Sequence, residues 1–131
     1  MRTRLAAAVA AATLMLAGAA AADPLEGRWV TARDDNGNFG MIEVAPCGGG
    51  LCGTLIRAYG PEGQPIESPN VGRNIISETR PQGDGTYRGK VYSPDRGKTY
   101  SSRLTLSGDR LSVEGCVLGI CRDGGTWERV E

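Results

Sequence analysis

After residue 22 the chain runs in short stretches of alternating apolar and polar residues, and nowhere does a helical period persist for a dozen positions. Alternation with period two puts successive side chains on opposite faces of an extended strand. Met41, Glu43 and Ala45 alternate with Ile42 and Val44; Leu51, Gly53, Leu55 and Arg57 alternate with Cys52, Thr54, Ile56 and Ala58. Eight such runs can be read, over residues 27–33, 41–46, 51–59, 74–79, 86–93, 98–106, 110–116 and 122–130. Turn signals separate them, among them Asp34-Asp35-Asn36-Gly37, Gly48-Gly49-Gly50 and Gly83-Asp84-Gly85. Asn-Gly between alternating runs is a strong hairpin signal. Eight short strands in succession predict an all-β fold: a single antiparallel up-and-down β-barrel with no exposed edge, with a β-sandwich as the alternative.

Two segments fall outside that rhythm. Residues 60–72 carry Pro61, Pro65 and Pro69 and predict a side loop or lid. Residues 1–22 begin with Arg2 and Arg4, continue through an apolar run over 5–16 and end on Ala20-Ala21-Ala22. That order predicts a secretory signal peptide over 1–22, cleaved before Asp23, and a barrel domain over 23–131. The mature protein is then periplasmic or secreted, with no membrane span.

Removing the leader changes the composition. The whole chain has 15 basic and 15 acidic residues; the 109 residues after Ala22 keep 13 basic and 15 acidic. A near-neutral chain lacks the basic footprint of a nucleic-acid binder. Leu, Ile, Val and Phe number only 21 of those 109, close to the level at which disorder competes with folding. The small net charge and the ordered alternation favour a fold. So lean a core predicts covalent staples and a barrel interior that is small or filled by side chains.

Four cysteines are available as staples, in two C-x4-C units, Cys47/Cys52 and Cys116/Cys121. Each unit reads as two strand ends flanking a tight loop, within disulfide reach across a hairpin. Local pairing is preferred over cross-linking the two hairpins, and a zinc ion held by four thiolates is the functional alternative. In an oxidising compartment disulfides form first. Each local bridge closes a short loop and contributes roughly 2 kcal/mol while pinning register.

The chemistry that composition excludes is broad. With no His, the chain offers no Ser-His or Cys-His dyad and lacks the commonest metal ligand. Gly97-Lys98-Thr99 ends like a P-loop, but Tyr92 stands where that motif needs Gly, and a strand follows instead of a helix. Asp34, Asn36 and Asn38 are spaced like the start of a calcium loop, but Phe39 occupies its glycine position. No catalytic residue, metal or cofactor is expected.

One segment has more character. Tyr92-Ser93-Pro94-Asp95-Arg96-Gly97-Lys98-Thr99-Tyr100, with Gly89 upstream, resembles the central signature of the bacterial family called domain of unknown function 2147. Gly27-x-Trp29, Leu51-Cys52-Gly53, Leu111-x-Val113-x-Gly115 and Trp127-x-Arg129 follow the family in order. Ser68-Pro69-Asn70-Val71-Gly72-Arg73 departs from its usual Asn-Pro-Asp segment. The resemblance implies an exported, lipocalin-like small barrel and no particular activity. By the lipocalin comparison Gly27, Trp29, Trp127 and Arg129 close the barrel, with a basic side chain covering an indole. Pro94-Asp95 predicts a type I turn, and a three-residue loop would set Tyr92 opposite Tyr100.

Two functions fit these observations. A small-ligand binder would use Tyr92, Lys98, Tyr100 and Arg57 to orient an acidic ligand in the barrel. A protein-interaction module, acting on another envelope or secreted protein, would use the 60–72 loop and the 34–38 turn.

Overall fold

The computed structural model describes residues 22–130; the leader expected over 1–22 therefore lies outside the described residues except for Ala22. Among the described residues every regular element is a strand: β1 (Gly27–Val30), β2 (Phe39–Cys47), β3 (Gly50–Tyr59), β4 (Pro65–Ile66), β5 (Asn74–Pro81), β6 (Thr86–Ser93), β7 (Lys98–Ser107), β8 (Arg110–Val117) and β9 (Ile120–Arg129). Each long strand pairs antiparallel with its sequence neighbours, and β9 returns to β1, closing an eight-stranded up-and-down barrel. The sandwich alternative is excluded by that closure. The two-residue β4 is an addition to the expected eight; it pairs with the end of β3 where β3 outruns β5. The 60–72 loop is thus partly strand.

Strand direction gives the barrel two unlike ends. Both chain termini and the turns at 48–49, 82–85 and 108–109 share one end, the base. The loops 31–38, 60–73, 94–97 and 118–119 share the other, the mouth. The base is packed solid. Leu25, Trp29, Leu104 and Leu111 are fully buried there, with Tyr87 and Val44 beside them. The Trp29 Nε1–H donates to the Leu25 carbonyl at 2.9 Å, and the Arg129 guanidinium lies 4.3 Å over the Trp29 ring. Arg129 also donates to the carbonyls of Glu26 and Pro24. A cation stacked on an indole and held by carbonyls contributes about 1 kcal/mol or more. Gly27 lies in β1 opposite Val44, two positions from that stack.

Register shifts at five places in four of the strand pairs, each a β-bulge or irregularity in the ladder. In β3, Met41 faces Arg57 while Ile42 faces Leu55, so Ile56 is the extra residue. The alternation expected to put Arg57 with Leu55 is broken there: Ala58 becomes the buried residue and Arg57 is exposed. In β5, Glu78 takes φ 50°, and the bulge brings the Ser77 and Glu78 carbonyl oxygens to 2.7 and 2.8 Å from where a Cβ on Gly89 would sit. Only glycine fits at 89, a physical reason for the glycine upstream of the signature.

The two cysteine pairs are local, Cys47–Cys52 and Cys116–Cys121, with Cα atoms 5.8 and 4.0 Å apart. Cys116 and Cys121 face each other in register; Cys47 instead pairs with Gly50 and bridges diagonally. The first staples the β2–β3 hairpin at the base, the second the β8–β9 hairpin at the mouth.

Burial and the hydrogen bond that the Tyr87 hydroxyl donates to Asp23 Oδ1 (2.6 Å) hold the Tyr87 phenol protonated far beyond its ordinary range. A pKa raised on folding gives stability that is full below about pH 10 and is lost as pH rises toward the folded value. Tyr87→Phe is expected to cost about 1 kcal/mol at neutral pH and to flatten the alkaline loss of stability, read from urea melts between neutrality and pH 11.

Candidate functional site

The mouth opens on a cavity of about 1120 Å³, just above the usual size of a small-ligand pocket. The interior expected to be small or filled is filled only at the base. Space arises where the inward residue Gly115 of β8 is small on the cavity wall, whereas the place of a Gly89 side chain is filled by the β5 bulge and Ser102 is buried. The wall is apolar, from Ile42, Leu55, Ile75, Val91 and Val113, with Trp127 at the floor above the Trp29 layer. Trp127 is thus a wall residue of the cavity, facing Leu111 and outside the Trp29–Arg129 and Val30–Glu128 pairs that close the barrel. Ser102 Oγ is buried without a hydrogen-bond partner among the described residues.

Polar groups sit at the rim. Arg33, Asp34 and Asp35 come from the first mouth loop, Asp95 and Arg96 from the third, and Arg122 and Asp123 from the start of β9. Arg33 is a clamp: its guanidinium lies 4.5 Å over Phe39 and donates to the carbonyls of Gly37 and Pro61, tying loop 31–38 to loop 60–73. The Phe39 ring stacks on Tyr59 with centroids 5.1 Å apart. β1 ends at Val30 where the sequence pattern continues to Arg33, because Arg33 turns onto Phe39 and Asp34 begins its own turn, accepting from the N–H groups of Asn36 and Asn38.

Of the residues expected to touch a ligand, Tyr92 and Tyr100 line the cavity, whereas Lys98 and Arg57 do not. Lys98 stands exposed at the start of β7 and Arg57 is carried outward by the β3 bulge. Tyr92 and Tyr100 are not a cross-strand pair. The loop has four residues, 94–97, so Ser93 faces Lys98, Tyr92 faces Thr99 and Val91 faces Tyr100. The Tyr92 ring lies under the Arg73 guanidinium at 4.3 Å. Sequence reasoning missed Arg73, which only the folding of loop 60–73 onto the barrel brings there. Gly115, which the sequence marks only within Leu111-x-Val113-x-Gly115, also lines the cavity.

Apolar side chains also crowd the rim from outside. Of six exposed large hydrophobic residues among those described, Ile66, Val71, Val117, Leu118 and Ile120 are at the mouth and only Val130 is at the base. Leu118 is 97% exposed with φ 52°, followed by Gly119 at φ 81°, the two positive values a type I′ turn requires.

The chain matches, over residues 27–129, the family described as uncharacterized proteins conserved in bacteria, DUF2147. The chain belongs to that family. The match covers both barrel ends, from the Gly27-x-Trp29 start to Arg129. A solved structure from Helicobacter pylori, described as protein HP1028 belonging to the lipocalin family, aligns with TM-score 0.60 at 20% identity over 82% of this chain and 83% of that one. At that identity the likeness is one of fold. No curated protein matches.

Leu in a left-handed turn position is strained, and Asn tolerates it. Leu118→Asn is expected to stabilise the DUF2147 barrel by about 1 kcal/mol, measured as a higher urea midpoint with an unchanged slope.

Proposed function

We propose that this protein is an exported, non-catalytic carrier or receptor that takes an amphipathic small molecule into the mouth of its barrel. The observation that carries the reading is the open apolar cavity with convergent polar groups at its rim, the usual form of a small-ligand site. The apolar body of the ligand lies against Val91, Val113 and Trp127. Its polar head lies at the rim, where Tyr92 and Tyr100 offer hydroxyl donors and Arg96 and Arg122 offer guanidinium groups suited to a carboxylate or phosphate. Lys98 and Arg57, on this reading, stay outside the site. Two disulfides support an oxidising, extracytoplasmic compartment, and no helix among the described residues is long and apolar enough to cross a membrane.

Gly115 supplies the test. A Cβ there would meet Tyr100 and Val91 at 3.6–3.8 Å, ordinary contact, so a larger side chain projects into the cavity without disturbing the strand. With a fluorescent long-chain fatty acid as probe, Gly115→Leu is expected to weaken binding about tenfold or more while the melting temperature holds. Equal affinity in both proteins would show that the probe binds elsewhere.

A second reading, docking onto another envelope protein, is favoured by the exposed Leu118 tip. Leu118→Asn would then abolish capture of the partner from periplasmic extract; on the ligand reading it leaves fatty-acid affinity within about twofold.

A further inference from the structure

The mouth carries charges of both signs that the fold itself does not consume. We infer, building on the ligand reading of the cavity, that the molecule held there is a zwitterion. Its head carries a cationic nitrogen beside the phosphate or carboxylate; Asp35 and Asp95 receive the cation, and Arg96 and Arg122 receive the anion.

Seven charged residues line the cavity, and three of them are engaged by the protein's own loops. Arg33 lies on Phe39 and donates to the carbonyls of Gly37 and Pro61. Asp34 Oδ1 accepts from the N–H groups of Asn36 and Asn38 at 2.9 and 2.8 Å, and Asp123 Oδ1 from the Gly125 N–H at 2.8 Å. The other four are Asp35, Asp95, Arg96 and Arg122. All four are exposed, and among the described residues none of them enters an ion pair. On the outer wall, by contrast, Arg28 pairs with Glu43, Lys90 with Glu78 and Arg103 with Glu114.

Topology distributes these charges around the opening. Asp35 lies in the β1–β2 connection, and Asp95 and Arg96 lie in the β6–β7 connection. Going round the barrel, two strands separate these connections on either side, so they stand across the mouth from one another. Arg122, near the start of β9, occupies the arc between them. A purely anionic head would satisfy the two guanidinium groups and be repelled by the two carboxylates. A purely cationic head would meet the reverse. Only a head with both charges is attracted by both pairs. Tyr100 lines the same opening, and an aromatic ring attracts an ammonium group over its face. Each exposed ion contact contributes a factor of about two to five in affinity, so the preference shows only when the apolar part of the ligand is held constant.

Three amphiphiles with the same dodecyl chain meet that condition: dodecylphosphocholine, dodecyl phosphate and dodecyltrimethylammonium, each used below its micelle-forming concentration to displace the fluorescent fatty acid. Dodecylphosphocholine is expected to act at a concentration about fivefold or more below either of the others. Equal displacement by all three, or stronger displacement by either singly charged head, would overturn the zwitterion and leave the cavity reading standing. Failure of the fatty acid itself to bind would overturn the cavity reading and the zwitterion with it. The roles are separated by two double variants. Asp35→Asn with Asp95→Asn is expected to weaken dodecylphosphocholine about fivefold and to leave dodecyl phosphate no weaker. Arg96→Gln with Arg122→Gln is expected to weaken both phosphate compounds and to spare dodecyltrimethylammonium. The four side chains have no ion-pair partner to lose among the described residues, so the melting temperature is expected to hold in both variants. Equal losses for all three amphiphiles in either variant would contradict the assignment.

Discussion

The barrel closes on two residue pairs. Trp29 faces Arg129 and Val30 faces Glu128, and no other register pair joins the first strand to the last. A seam that short has little backbone hydrogen bonding to hold it, so side chains must. The same Trp29 and Arg129 supply the stack, and the segment from Asp23 to Glu26 folds under them as a plug. Everything above the seam depends on it, because an unclosed sheet of this length would expose two strand edges.

This concentration of contacts resolves the problem set by the composition. Twenty-one Leu, Ile, Val and Phe residues cannot fill a barrel of eight strands, and they do not. Large side chains are gathered in the base, and the small inward residue Gly115 leaves room nearer the mouth. The two disulfides divide along the same line, one staple at each end. Stability is thus carried by one half of the molecule, and the other half is free to present a cavity with an apolar wall and a charged rim.

Much of this was legible in the chain. Period-two alternation located all eight long strands to within a few residues, because a half-buried strand imposes that period directly. The local cysteine pairing followed from hairpin spacing. What was not legible depends on long-range geometry. The bulge at Ile56 that turns Arg57 outward is set by how β2 and β3 wrap the barrel, and alternation alone assigns Arg57 to the wrong face. The loop before Lys98 has four residues instead of three, which a Pro-Asp-Arg-Gly sequence also permits, and that one residue unpairs Tyr92 from Tyr100. The stacking of Arg73 on Tyr92 joins positions nineteen apart through an irregular loop, where no periodic signal exists.

The barrel is sealed at one end and open at the other, and the chain's two tryptophans report on one end each. Collisional quenching by acrylamide, measured on Trp29→Phe and Trp127→Phe proteins, separates them. Trp127, at the cavity floor, is expected to be quenched several-fold more efficiently than Trp29 under its guanidinium cap, and to be protected when a fatty acid is added. Equal quenching of the two, or a Trp127 as inaccessible as Trp29 without ligand, would mean that the interior is filled throughout and the cavity does not exist in solution.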